Sequence, residues 1–115
     1  MIESIEVDRI LRHRVKGALY GRDLIEAAQR SGESVYPVLW DVRESVLVET
    51  DLTYGAFLHG IIKTQTQSRR KRVFLVESRS MAERLRRLLT VVERPWPWRI
   101  CCSEDDALAW LSAQQ

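Results

Sequence analysis

The sequence offers little with which to close a disulfide or bind a metal, because only two of its 115 residues are cysteines and only two are histidines. Cys101 and Cys102 are adjacent, and neighbours on a strand point to opposite faces, so a bond between them would need strained geometry. Their spacing fits neither a zinc site nor a Cys-x-x-Cys redox pair. We therefore expect reduced thiols that act as small, buried apolar side chains, and neither a metal nor a cofactor.

Long apolar runs and glycine motifs are missing as well. No stretch approaches the roughly 20 apolar residues of a transmembrane helix, and the N-terminus carries acid from Glu3 onward, unlike a secretory signal peptide. We therefore predict a cytoplasmic protein that does not insert into a membrane. The glycines form neither a Gly-x-Gly-x-x-Gly nor a Gly-Lys-Ser/Thr pattern, which argues against a phosphate-cradling loop.

The two histidines do not suggest an enzyme. His13 falls within a predicted strand and His59 within a predicted helix, whereas nucleophilic catalysis needs a histidine that a carboxylate orients beside a nucleophile. We interpret both as ordinary surface or edge histidines. Because no other catalytic constellation is evident, we predict a protein that is not an enzyme.

Apolar and alternating segments predict five strands. They are residues 2–7, 10–17, 35–42, 72–77 and 98–102. A tight turn at Asp8 and Arg9 joins the first two. The third and fourth are almost continuously apolar, as expected of inner strands that helices cover on both faces.

Amphipathic spacing and capping signals predict four helices. They are residues 22–31, residues 52–68, a segment from Ser80 to the turn before Pro95, and a segment from Ser103 onward. Residues 43–50 are predicted to be a loop. The order ββαβαβαβα predicts one α/β domain over residues 1–115, with a mixed, mainly parallel five-stranded sheet covered by about four helices.

Three stretches of the chain resemble a known family. They are Gly-Arg-Asp-Leu at residues 21–24, Val-Leu-Trp-Asp-Val-Arg at residues 38–43, and Asp-Asp-Ala-Leu-Ala-Trp-Leu at residues 105–111. In this order they resemble the SpoIIAA-like proteins, relatives of the STAS domain, over nearly the whole chain. The resemblance implies a bacterial, non-catalytic, regulatory domain that binds a protein.

The resemblance also implies where a regulatory switch would lie. STAS domains carry a Ser or Thr within Asp-Ser-Ser/Thr-Gly at the start of the helix after the central strand. The matching region of this chain contains Ser45, Thr50 and Thr53 but not that motif, which argues against control by phosphorylation. The fold shape is also similar to that of lipid-carrying SEC14-like domains.

Charge is concentrated in one part of the chain, although the net charge is only +2. A basic run at residues 69–72 precedes further arginines, of which Arg84 and Arg87 lie on one face of a predicted helix. Such a patch can attract an acidic protein or phosphates, or it can simply solvate a loop and a helix. Because aromatic residues for base stacking are absent from the cluster, we favour a protein partner over nucleic acid.

Two other places are candidate contact surfaces. Asp41, Arg43 and Glu77 follow or end inner strands, and ligands of open α/β sheets bind at the carboxyl ends of strands, although such side chains also cap loops. Trp96 and Trp98 flank Pro97 in a predicted turn, and tryptophans are frequent binding anchors, although they also cover cores.

These surfaces give two predicted functions. The first is a regulatory or protein-interaction domain whose candidate contact residues are Asp41, Arg43, Thr53, Arg84, Arg87, Trp96 and Trp98, with a homodimer as a further form of partner. The alternative is a carrier of a small apolar or lipid-like ligand between the second helix and the sheet. It depends on the apolar face of that helix, which consists of Tyr54, Phe57, Leu58, Ile61 and Ile62.

Overall fold

The computed structural model describes residues 2–20, 23, 36–47, 71–90 and 98–113. Their elements, in chain order, are β1 (Ile2–Val7), β2 (Ile10–Leu19), β3 (Val38–Leu47), β4 (Arg72–Leu75), α1 (Arg79–Thr90), β5 (Trp98–Cys101) and α2 (Glu104–Ser112). The predicted helices at 22–31 and 52–68 lie outside the described residues, apart from Asp23.

The five strands form one sheet in the order β1-β2-β3-β4-β5. β1 is antiparallel to β2, while each later pair of neighbours is parallel. This confirms the predicted mixed, mainly parallel α/β sheet. Asp8 and Arg9 join β1 to β2 with φ of 53° and 62°, the positive values of a type I′ hairpin turn, whose twist matches that of the strands.

Each face of the sheet buries its own apolar cluster, because residues alternate between the faces along every strand. On one face α1 packs with Ala82 and Leu85 against a cluster that includes Trp40 and Phe74. On the other face α2 packs against the inner strands. The buried members of this second cluster are Leu39, Val73, Leu75, Ala107 and Leu111. The predicted two-faced burial of the inner strands is therefore confirmed.

β3 differs from its predicted bounds at both ends. It begins at Val38 and continues to Leu47, so residues 43–47, predicted to be a loop, are strand. The register against β2 shifts between Arg14 and Lys16, which face Asp41 and Glu44. Two residues of β3 therefore lie opposite one residue of β2, which is a β-bulge. A bulge breaks the alternation by which strands are recognised in a sequence, and this explains the premature predicted end.

The helix starts are mostly as the sequence indicates. α2 begins after Ser103, whose Oγ accepts a hydrogen bond from the Asp106 N–H at 3.4 Å, as predicted. α1 begins earlier than predicted, because Ser78 rather than Ser80 is its cap. The Ser78 Oγ accepts from the Met81 N–H at 3.2 Å, which satisfies one of the free N–H groups of the first turn.

Three predictions for single residues, His13 and the two cysteines, are wrong. His13 is fully buried rather than at the surface, with its Nδ1 2.7 Å from Ser4 Oγ and its ring 4.4 Å from that of Trp40. Arg72, by contrast, is buried at the start of β4, within the predicted strand 72–77. Neither thiol is fully buried, since Cys101 is half-buried and Cys102 is exposed, although both are free thiols as predicted.

Candidate functional site

Asp41 is the centre of a charged cluster on the face of the sheet that carries α2. It lies within β3 rather than at its end, but its neighbour on β4 is Leu75, the last residue of that strand. Leu75 in turn pairs with Cys101, the last residue of β5. Asp41 therefore lies at the level where β4 and β5 end, which is where the sequence predicted a site.

The bulge in β3 places Arg43 beside Asp41. Arg43 Nε donates to Asp41 Oδ1 at 2.9 Å and Arg43 Nη2 donates to Oδ2 at 2.8 Å. The Arg43 backbone N–H adds a third contact to Oδ1 at 3.3 Å. The bidentate pairing of the guanidinium with the carboxylate fixes the Arg43 side chain more firmly than a single hydrogen bond would.

A second arginine reaches the same carboxylate from β2. Arg12 Nη2 donates to Asp41 Oδ2 at 3.0 Å and also to Glu104 of α2. Arg43 Nη2 is 3.7 Å from the same Glu104 carboxylate, and Arg14 Nε is 3.9 Å from Asp41 Oδ2. The cluster therefore joins β2, β3 and the first turn of α2 through ion pairs.

The cluster sets the ionisation of its members. Burial by itself opposes the ionised form of Asp41, but the hydrogen bonds from Arg43 and Arg12 outweigh it and lower its pKa from 3.8 to about 2. For Arg12, burial would lower the pKa, but the hydrogen bonds to Asp41 and Glu104 raise it. The hydrogen bond to Asp41 likewise raises the pKa of Arg43. All three groups are charged at neutral pH.

A groove of 340 Å³ opens beside the cluster. It is lined by Arg14, Asp41, Arg43, Glu44 and Glu77. The Asp41 side chain is only 4% exposed, whereas those of Arg14 and Arg43 are 46% and 35% exposed. The buried carboxylate therefore holds Arg43 in place, and the side chains of Arg14 and Arg43 both reach solvent. Asp41, Arg43 and Glu77, which the sequence places at or after the ends of inner strands, thus line one groove.

Sequence reasoning missed half of this cluster. Arg12 and Glu104 are 29 and 92 residues from their partners Asp41 and Arg12, and no sequence pattern brings them together. A local signal was the alternation of cations along β2, where Arg12, Arg14 and Lys16 fall on every second residue. Cations on the inner part of a sheet need carboxylate partners, and this could have pointed to Asp41.

The other candidate residues that the structure describes, Arg84, Arg87 and Trp98, do not line the groove. Arg84 and Arg87 are on α1, where Arg87 is exposed and Arg84 is half-buried. Trp98 begins β5 and is half-buried against the α1-side cluster, so it covers the core and does not protrude from a loop. Thr53 and Trp96 lie outside the described residues. Ser45 is within β3, where its Oγ donates to the Val42 carbonyl at 2.7 Å.

The thiols and carboxylates do not combine into a reactive centre in the part of the chain that the structure describes. No group of three His, Cys, Asp or Glu side chains within it is placed to hold a metal ion. Burial raises the pKa of the Cys101 thiol, which disfavours the reactive thiolate. No helix within the same ranges is long and apolar enough to span a membrane.

Solved structures place this architecture among known folds. No protein-family model matches the sequence, and no curated protein matches it significantly. An uncharacterised DUF3478-family protein with a SpoIIAA-like fold, from Shewanella loihica, matches with a TM-score of 0.65 at 13% identity, over 96% of this chain and 92% of that one. The anti-sigma factor antagonist SpoIIAA in its unphosphorylated form matches with a TM-score of 0.59 at 16% identity, over 99% of this chain and 100% of that one.

These similarities show the fold. The chain has a SpoIIAA-like α/β fold, and the predicted resemblance to the SpoIIAA-like proteins is confirmed at the level of the fold.

Proposed function

We propose that this chain is a non-enzymatic regulatory domain that acts by binding a protein partner. The observation that carries the proposal is the groove beside Asp41, because one of its two arginines, Arg43, is fixed before any partner arrives. Arg43 is held at two points by a carboxylate that is only 4% exposed. A preorganised charged surface loses less side-chain entropy on binding than a mobile one.

Both signs of charge on the groove support a protein as the ligand. Its lining includes Arg14 and Arg43 together with Glu44 and Glu77, and such a surface discriminates between partners by charge complementarity. The similarity to SpoIIAA, which antagonises an anti-sigma factor, supports the same class of function. A charged groove suits an apolar ligand poorly, and the helix face on which the lipid-carrier alternative depends lies outside the described residues.

The proposal can be tested by placing a photo-crosslinking amino acid at Glu44 and identifying the protein captured in the source organism. The purified partner is then titrated into the wild type, Glu44→Lys and Glu83→Lys. Glu44 lines the groove and Glu83 is exposed on α1, so the two variants carry the same charge change on different surfaces. We expect Glu44→Lys to weaken binding about tenfold, equivalent to roughly 1.4 kcal/mol, and Glu83→Lys to leave it unchanged.

Other outcomes would contradict this assignment. If Glu83→Lys weakens binding and Glu44→Lys does not, the contact surface is the basic face of α1 with Arg84 and Arg87. If the purified protein hydrolyses or transfers a group at a rate that Asp41→Asn abolishes, the domain is an enzyme and the proposal is wrong.

A further inference from the structure

β1 is the outer strand of the sheet on its antiparallel side. All six of its residues pair with β2 without interruption, from Ile2 opposite Val15 to Val7 opposite Ile10. Within the described ranges, no strand pairs with its other side. It therefore presents an edge at which another strand can form hydrogen bonds.

The turn geometry indicates which backbone groups face outward. In a two-residue hairpin the residues that flank the turn, here Val7 and Ile10, form a hydrogen-bonded pair, and such pairs alternate along the ladder. Ser4 and Glu6 therefore fall at positions that are not hydrogen-bonded to β2, and their N–H and C=O groups point away from it. The close approach of Ser4 Oγ to His13, at 2.7 Å, agrees with such a pair, in which opposite side chains lie closest.

The side chains of β1 add an apolar surface to this edge. Ile5 and Val7 are 55% and 52% exposed, and alternation places them on the same face. Outer strands are usually protected against further pairing by charged side chains, lysine above all, or by proline, a bulge or short length. β1 has six residues and contains no lysine, proline or bulge, so Glu3 and Glu6 are its only protection.

Charge selects what can pair with this edge. The charged residues of β1 are Glu3 and Glu6, and both are exposed. Pairing β1 with β1 of a second copy would bring four carboxylates into two adjacent strands without a cation, and such like-charge contacts are destabilising. A strand with basic and apolar side chains would instead neutralise the carboxylates and cover Ile5 and Val7.

We propose that β1 is a docking edge for an extended segment of a partner protein, rich in basic and apolar residues, which adds to the sheet as a further strand. Main-chain hydrogen bonds supply the affinity in this mode of recognition, and alternate side chains supply the specificity. The end of the edge at Glu6 is separate from the groove, because Glu6 lies about 10 Å along β1 from Glu3, the β1 residue opposite Arg14.

The test uses the whole chain and a fluorescein-labelled synthetic peptide of alternating lysine and valine, with binding followed by fluorescence anisotropy. Glu6→Pro removes an outward N–H and leaves the ladder with β2 intact, whereas Glu6→Ala removes the carboxylate and keeps the N–H. We expect the wild type to bind, Glu6→Ala to bind somewhat more weakly, and Glu6→Pro to bind about tenfold more weakly than Glu6→Ala.

Two further measurements keep the test decisive if Glu6→Pro does not fold. A peptide of the same sequence with N-methylated alternate amides is expected not to bind the wild type, since it cannot form the ladder. The double variant Glu3→Lys with Glu6→Lys is expected no longer to bind the lysine–valine peptide and instead to bind a peptide of alternating glutamate and valine. Glu44→Lys, which alters the groove, is expected to leave peptide binding unchanged. The proposal for the groove and the proposal for the β1 edge can therefore fail independently of each other.

Absence of binding to the wild type would overturn the proposal, as would equal binding of the N-methylated peptide. A dimer in analytical ultracentrifugation that Glu6→Pro dissociates would identify the occupant as a second copy, and this would also overturn it.

Discussion

The Arg43 side chain donates two hydrogen bonds to the carboxylate of Asp41, two residues earlier on β3. Arg43 Nε lies 2.9 Å from Asp41 Oδ1, and Arg43 Nη2 lies 2.8 Å from Oδ2. The contact is short-range in sequence but depends on the bulge in β3 and on burial of Asp41 beneath it. Because the same carboxylate also accepts from Arg12, one buried acid fixes two arginines. The consequences of this arrangement for stability can be measured.

Asp41 is expected to make stability depend on pH in the acidic range. Its pKa is lowered from 3.8 to about 2, so its ionised form stabilises the folded state fully above pH 4, and this contribution is lost as the pH falls towards 2. The difference between the pKa of Asp41 in the folded and unfolded states corresponds to about 2 kcal/mol in the free energy of unfolding. Urea unfolding of the wild type and Asp41→Asn at pH 6 and pH 2 measures it, and we expect the wild type to lose about that much more than the variant.

The control for this experiment is Asp105→Asn, because Asp105 is exposed on α2 and outside the ion pairs of the cluster. Because it retains the ion pairs of Asp41, it is expected to lose more stability than Asp41→Asn between pH 6 and pH 2. An Asp41→Asn variant with the same pH dependence as the wild type would show that the ion pairs with Arg12 and Arg43 contribute nothing to folding.

The sequence predicted the sheet well and the cluster only in part. Strands were recognisable because β-branched and apolar runs such as Val38–Trp40 are local features. The bulge near Arg43 breaks this local pattern, so the second half of β3 appeared to be a loop. Asp41 was found from the rule for strand ends, whereas Arg12 and Glu104 meet only because the chain folds, and their positions along the sequence carry no trace of it.

Glu104 is expected to stabilise the packing of α2 on the sheet through its ion pairs with Arg12 and Arg43. Glu104→Gln keeps the size of the side chain and removes the charge, so it should cost about 0.5–1 kcal/mol, since the carboxylate is partly exposed. The loss should shrink in high salt because exposed charges are screened. Urea unfolding at low and high salt measures both effects.

Asp105→Asn is again the matched variant, because it lies in the same first turn and removes the same favourable interaction with the helix dipole. The difference between the two variants isolates the ion pairs. Equal losses in Glu104→Gln and Asp105→Asn would mean that only the dipole matters.

Lys71 is expected to stabilise the other end of α2. Its Nζ donates to the carbonyl oxygens of Trp110 and Ala113 at 2.9 and 2.6 Å and lies 5.2 Å from the Trp110 ring centroid. The last turn of α2 has no basic residue of its own, so Lys71 supplies the positive charge that helix C-termini favour. Lys71→Met, which keeps the aliphatic stem, should cost about 1 kcal/mol.

The loss should be local, and amide hydrogen exchange is the sensitive measurement. The Ala113 N–H, which is bonded to the Ala109 carbonyl at 3.1 Å, should exchange faster in Lys71→Met, while the amides of β4 keep their protection. Lys71→Arg should retain part of the protection because it keeps the charge. If the Ala113 amide exchanges at the same rate in Lys71→Met as in the wild type, Lys71 does not cap α2.

The residues in the turn between β1 and β2 are not the most stabilising ones for its backbone conformation. Asp8 and Arg9 adopt φ of 53° and 62°, a region that Asn and Gly occupy more readily than most residues. Asp8→Asn with Arg9→Gly should therefore raise stability by about 0.5–1 kcal/mol, measured as an increase in Tm. Arg9→Ala tests the cause, because alanine removes the long side chain without relieving the backbone conformation and should give no gain. If Arg9→Ala stabilises as much as Arg9→Gly, the benefit comes from losing the arginine and not from the positive φ.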